Sequence, residues 1–311
     1  MPDLHVILGA TGAVGRALVA ELSSRGHRVR AVSRNAEGPE AVRADISTPE
    51  GARAACAGAS VVYQCAQPPL REWASRFPEL TRSVLAGAEA AGAKLVMADN
   101  LYVYGPVGGP MTEGLPHRAD FPKGRARAEV DRLILDAHRS GRVRAALGRA
   151  SDYYGPHGIG TVLGPNLFAA AAAGKTVRWV GALDQPRTLS YLPDIAAGLA
   201  TLGERDEADG RAWHLPAAEP LTGREFLDLV EARVDGPMKT AALTRGVQRL
   251  LGLFNPTVRG LSETWYQFDR PFIADDSEFR DAFGPVSVTP HADAVAATVD
   301  WFSARGGADD R

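Results

Sequence analysis

The chain has 311 residues, 45% hydrophobic and 23% charged, with 35 basic side chains against 37 acidic and a formal net charge of -2. That length buries a core for one large domain or two closely joined ones, and the charge balance points to neither a nucleic acid nor an acidic surface as partner. Cys56 and Cys65 are the only cysteines, so no disulfide framework or metal-ligand spacing is present and no metal is expected. No apolar run approaches the roughly 18 residues of a membrane span, and the first strand begins too early for a signal peptide. A reduced, cytoplasmic chain with no membrane partner is expected.

In chain order, "HVIL" reads as a buried strand, and "AVGRALVAELSSRG" as a helix stopped at Gly26. "RVRAVS" is a second strand and "AVRADI" a short third. "TPEGARAACAG" is a helix and "SVVYQCA" a strand. The long helix "REWASRFPELTRSVLAGAEAAG" holds Pro78, which would break or reshape it. "KLVMAD", the amphipathic "GRARAEVDRLILDAHRSG" and "VRAALGRA" complete the alternation. Strands and helices alternating in this way predict an α/β fold, a Rossmann-type doubly wound parallel sheet over residues 1–150. From residue 151 the rhythm gives way to Gly- and Pro-rich loops and shorter elements: "TVRWV", "RTLSYL", "DIAAGLATLGE", "RAWHLP" and "REFLDLVEARV". "LFAAAAAG" reads as a packed helix and "RGGADDR" as a frayed tail. Residues 151–311 are expected to form mainly a smaller, irregular substrate lobe over the carboxyl ends of the strands, some segments returning to the sheet.

"GATGAVG" spaces Gly9, Gly12 and Gly15 as G-x-x-G-x-x-G. Gly9 suits the tight turn after the strand. Gly12 lets backbone N–H groups approach a pyrophosphate, and Gly15 lets helix and strand pack closely. Thr11, Ala13 and Val14 complete this candidate cofactor turn. An NAD site places a carboxylate at the end of the second strand, whereas this chain has Ser33 and then Arg34. A guanidinium there suits a 2′-phosphate, so NADP(H) is expected over NAD(H), with Arg16 a further source of charge. Arg34 also reads as an ordinary solvated residue.

With these pieces in order, the chain resembles the extended short-chain dehydrogenase/reductases, the NAD(P)-dependent epimerase/dehydratase-like family. "ADIST" is similar to the family's adenine-contacting stretch, implying roles for Asp45 and Ile46. "VVYQCAQ" is similar to its cofactor-side strand end, implying Ala66 and Gln67. "VYG" at 103–105, "YYGP" at 153–156 and "RTLSYLPDIAAGL" are similar to its recurring loops. The resemblance implies that Arg187 holds a phosphate, that Asp194 caps a helix, and that the chain forms a homodimer.

The family's Ser/Thr and its Tyr-x-x-x-Lys pair have no counterpart. Asn100 stands at the Ser/Thr position. Either Phe121 and Arg125, or Lys123 and Arg127, stand where Tyr and Lys would, with Glu129 or Asp131 at helical offsets. Asn100 can still donate to an oxyanion, and Arg125 or Arg127 can hold a ribose or phosphate. Lys123 is the first candidate for proton transfer, because cationic neighbours would depress its pKa. Tyr102, Tyr104 and Tyr153 follow, then Asp99 and His117. Lys123 also reads as the first residue of a solvated helix, Tyr104 and Tyr154 as packed residues, and Asp99 as a turn cap. Trp265, Tyr266 and Phe268 are available to line a pocket. The sequence is therefore read as an atypical NADP(H)-dependent oxidoreductase acting on a small, largely apolar carbonyl or alcohol. A non-redox epimerase, dehydratase or cyclase, and a cofactor-binding sensor or scaffold, are the alternatives.

Overall fold

The computed structural model describes residues 3–35 and 41–309. Seven parallel strands form its central sheet: β1 (Leu4–Leu8), β2 (Arg28–Ser33), β3 (Ala41–Arg43), β4 (Val61–Gln64), β5 (Lys94–Asn100), β6 (Ala145–Ala150) and β7 (Ala212–His214). Their order is β7-β6-β5-β4-β1-β2-β3, which reverses direction between β1 and β4. The inner strands are buried along their whole length because helices cover both faces. On one face lie α2 (Pro49–Cys56), α3 (Trp73–Ala91) and α4 (Pro122–Arg139). On the other, α1 (Ala13–Ser24) packs beside α5 (Leu192–Glu204). The doubly wound sheet expected from the sequence is the one observed.

Pro78 does not break α3. It sits one turn inside the helix, where it forfeits a single bond to the Ala74 carbonyl while its ring is buried. Residues 305–311 do not fray as a unit: the last helix runs from His291 to Asp309, and residues 310–311 lie outside the described residues. "LFAAAAAG" forms a π-turn at Gly164–Ala169 followed by a short α-turn at Ala170–Ala172.

Beyond β6 the chain builds a second core. Gly223–Glu231, here α6, opens with a capping box between Thr222 and Glu225. Its apolar face packs on Val177–Val180 and on His291–Asp309 around Tyr154, Phe168, Trp179 and Phe226. Val177–Val180 pairs with Thr240–Leu243, which leads into the amphipathic helix α7 (Arg245–Gly252). Asp194 does not cap α5. Its carboxylate lies in the first turn and accepts from the backbone N and hydroxyl of Thr289, at 3.1 and 2.8 Å, tying α5 to the C-terminal segment.

Candidate active site

Two adjoining cavities lie at the carboxyl ends of the strands, where the sheet order reverses and open α/β sheets bind ligands. The first, of about 590 Å³, runs from the glycine turn to the ends of β2 and β3. Gly9 adopts φ +85°, and a Cβ there would lie 2.5 Å from the Ala66 backbone nitrogen. Gly12 is the N-cap of α1 and has no side-chain cap, so the helix N-terminus faces the cavity with its N–H groups available to an anion. Gly15 lies beneath the turn, where a Cβ would meet the Gly9 carbonyl at 2.2 Å. Of the expected cofactor residues, Gly9, Thr11, Gly12, Ala13, Val14, Ser33, Arg34, Asp45, Ile46, Ala66 and Gln67 all line this cavity. The bare helix end and the glycine cradle fit a dinucleotide pyrophosphate. Arg16 lies beside this cavity and does not line it. It donates to the Thr11 carbonyl and lines an adjoining groove that shares Thr11 and Asn35 with the cofactor cavity. Asp45 accepts two bonds from Ser47, which hold its carboxyl below the usual range.

The second cavity, of about 310 Å³, opens from the first across Val14, Cys65, Ala66, Gln67, Pro68 and Tyr153. Asn100 and Tyr102 also line it. The Asn100 side-chain oxygen accepts from the Tyr102 backbone N at 3.1 Å, which leaves its amide nitrogen as the donor. Burial raises the pKa of both Tyr102 and Tyr153, so each phenol keeps its proton at neutral pH.

The geometry distinguishes the residues of the two registers left open at the start of α4. Arg125 is exposed and bonded to the Asp120 carbonyl, and Phe121 packs against Tyr102 and Tyr266. Arg127 lines the second cavity. Its guanidinium pairs with Asp99 at 2.9 Å, donates to Gln67 at 3.3 Å, and lies 4.4 Å from the ring centroids of Trp73 and Phe77. Of the four residues of the two registers, Arg127 alone lines either cavity. Lys123 lines neither. Its ammonium donates to the Gly260 carbonyl at 2.5 Å and stands 4.0 Å from Glu263, and burial lowers its pKa. The expected proton donor is instead a tether between α4 and the segment after α7.

Other expectations also shift. Tyr104 lies outside both cavities; its hydroxyl is shared with His214 at 2.7 Å and with Arg149 at 2.5 Å. Arg149 also pairs with Asp99 and Asp131, and with His117 at its outer edge. Burial raises the pKa of Asp131, while Glu129 forms a surface pair with Arg82. Arg187 pairs with Asp152 at 3.1 Å, within 5.0 Å of the ring centroids of Trp179 and Phe268, and lines neither of these two cavities. Trp265, Tyr266 and Phe268 are buried behind the site, and Gln267 and Phe272 line it in their place. Sequence reading missed the Arg127–Asp99 pair. Its one signal was charge at i,i+4, Arg127 and Asp131, on the buried stripe of α4.

Fold and site together define a dinucleotide-binding α/β protein with an enzyme-like cavity beside the cofactor cradle. Residues 5–215 match the NAD dependent epimerase/dehydratase family, and the chain belongs to it. A "3-diazoavenalumate denitrifying reductase" from Streptomyces sp is 29% identical over 279 residues, covering 80% of this chain and 87% of that one. A 2-alkyl-3-oxoalkanoate reductase from Shewanella oneidensis is 24% identical over 255 residues, covering 73% and 65%. A nucleoside-diphosphate-sugar epimerase from Pseudomonas aeruginosa shares the fold with TM-score 0.78 at 20% identity, over 98% of both chains. So does a dTDP-glucose 4,6-dehydratase from Streptomyces venezuelae, solved with NAD, with TM-score 0.79 at 19% identity over 98% of both. Among the described residues there is no group of three or more side chains that could hold a metal.

Proposed function

We propose that the chain is an NADP(H)-dependent reductase of a small, largely apolar molecule, and that its hydride step runs without a tyrosine–lysine pair. One observation carries this reading: Lys123 is bonded to Gly260 outside the cavity, while Arg127 is paired with Asp99. When bound, the nicotinamide dinucleotide supplies the hydride. The chain's own residues hold it and shape the acceptor's side of the cavity. Ser33 and Arg34 support NADP(H), since β2 ends in Ser33 and Arg34 and Asn35 follow, so that among the described residues directly after the strand there is no carboxylate to take ribose hydroxyls. The commitment of Arg187 to Asp152 argues against a nucleotide-linked diphosphate as substrate.

The acceptor that fits best forms no oxyanion. One relative is named a 3-diazoavenalumate denitrifying reductase. Replacing a diazonium group by hydride makes a C–H bond, breaks the C–N bond and releases dinitrogen, with no proton required from the protein. A carbonyl is the second reading, favoured by Tyr153. That phenol lines both cavities and keeps its proton, so it can protonate an alkoxide. Epimerase or dehydratase chemistry needs a base as well, and both cavity phenols are raised above their ordinary pKa.

The test follows NADPH and NADH oxidation with an aryl diazonium salt and with a panel of apolar ketones and aldehydes. Diazonium turnover that survives Tyr153→Phe supports the first reading. Carbonyl turnover abolished by the same change supports the second. Dinucleotide binding with no turnover of either class would overturn both and leave a scaffold.

A further inference from the structure

Five of the seven large apolar side chains exposed among the described residues fall within eight positions: Val247, Leu250, Leu251, Leu253 and Phe254 in and just after α7. Leu253 is 70% exposed and Phe254 85%. They occupy the turn between α7 and the short helix Pro256–Arg259, so the most apolar groups stand at the apex of a helical hairpin. Only Gln248 and Gly252 of α7 are buried, and Gln248 holds the hairpin closed by donating to the Val258 carbonyl at 2.8 Å. A monomer rarely leaves such a patch without a use.

Its charge names the occupant. From Lys239 to Ser262 the sequence has four cations (Lys239, Arg245, Arg249 and Arg259) and no acid. The chain as a whole carries -2, so the remainder carries -2 - 4 = -6. Arg245 faces Asp269 at 3.5 Å, and Asp269 also faces Arg270. A two-fold contact between copies would set this cationic face against itself, which like charges disfavour. Leu253 and Phe254, the two most exposed of these side chains, stand in the turn at the end of α7. Val247, Leu250 and Leu251 on a short helix, with Leu253 and Phe254 in the turn that ends it and Arg245, Arg249 and Arg259 in the same stretch, match an interfacial anchor on an anionic bilayer.

We propose that the Arg245–Arg259 hairpin seats the protein on membranes containing anionic lipid, with Leu253 and Phe254 inserted and Arg245, Arg249 and Arg259 at the headgroups. No helix among the described residues is long and apolar enough to cross a membrane, so this is surface attachment. The hairpin continues into the segment that presents Gly260 to Lys123 and Gln267 to the second cavity. The inference does not depend on the reaction proposed above.

The experiment is co-sedimentation of the full chain with vesicles of phosphatidylcholine alone and of phosphatidylcholine with phosphatidylglycerol. Binding is expected only with phosphatidylglycerol and should weaken with salt. The double variant L253S/F254S should lose binding at least tenfold with an unchanged circular dichroism spectrum and melting temperature, because both side chains are exposed. Arg249→Glu should weaken it severalfold by an independent route. Absence of binding to anionic vesicles, or equal binding by wild type and both variants, would overturn the proposal. So would a dimer in light scattering that L253S/F254S converts to monomer, because the tip would then be a self-interface.

Discussion

Arg34 is exposed at the rim of the cofactor cavity, one residue past a strand end that lacks a carboxylate. A charge-assisted bond to a phosphate contributes about 1.5–3 kcal/mol, roughly tenfold to a hundredfold in affinity. Arg34→Asp should therefore weaken NADPH by that factor and strengthen NADH, read by cofactor fluorescence; unchanged affinities would remove the 2′-phosphate assignment. Lys123 gives the opposite kind of test. Its ammonium lies outside both cavities on the Gly260 carbonyl. Lys123→Met should keep cofactor affinity and most of kcat while lowering thermal stability, because it unties α4 from the 260–267 segment. Loss of turnover at full cofactor affinity would restore Lys123 as proton donor. Local signals explain what was legible at this scale. Gly9, Gly12 and Arg34 act through backbone or position in one turn, so sequence spacing exposes them. The Arg127–Asp99 pair joins α4 to β5 across 28 positions, and only the packing of Trp73 and Phe77 over the guanidinium shows that it is buried.

The β1–turn–α1 unit allows two glycine substitutions with different outcomes. Gly12 has φ -75° and ψ 168°, open to any residue, and a Cβ there lies 3.3 Å from the Gly9 carbonyl. Gly12→Val should leave the fold within a few degrees of its melting temperature while abolishing dinucleotide binding, since the branched side chain fills the approach to the helix N-terminus. Gly15→Val puts its Cβ against the Gly9 carbonyl at 2.2 Å, so α1 must move off the sheet. Low solubility or a melting temperature lower by many degrees is expected. Equal behaviour of the two variants would contradict the separate roles of the two glycines. Elements of the sheet were legible because period and composition mark them, and α3 survived Pro78 because the proline lies near its start. The second lobe was less so. Thr240–Leu243 is a strand only because Val177–Val180 pairs with it, and the Arg187–Tyr191 stretch is divided between two short ladders. Those partners lie far along the chain, where local pattern carries no information.

Net charge averages over the whole molecule, which is how a chain at -2 carries a +4 stretch that composition alone does not reveal. The same averaging hides how the two lobes are joined beneath the site. His214 ends β7 fully buried. Its Nδ1 donates to the Asp275 carbonyl at 2.8 Å, and its Nε2 accepts from the Tyr104 hydroxyl at 2.7 Å, with Arg149 donating to that same oxygen. This arrangement requires the neutral ring, and burial pushes its pKa down to about 4, with Arg149 adding repulsion. An unfolded histidine titrates near 6.5, so between these values the unfolded chain binds the proton and the folded one does not. The stabilisation from neutral His214 is complete above about pH 6.5 and is lost as pH falls toward 4. Between pH 7 and pH 5 it amounts to about 2 kcal/mol. Asp131, raised by burial beside Arg149, works in the opposite direction and partly masks the effect in the wild type. The comparison that isolates His214 is urea unfolding of wild type and His214→Gln at both pH values. The variant should be less stable at pH 7, and its loss on acidification should be smaller than the wild type's by about 2 kcal/mol. Parallel losses in the two proteins would mean that His214 already carries its proton in the folded state. The Tyr104–Arg149 network would then have to hold two cations side by side at the joint between the sheet and the second lobe.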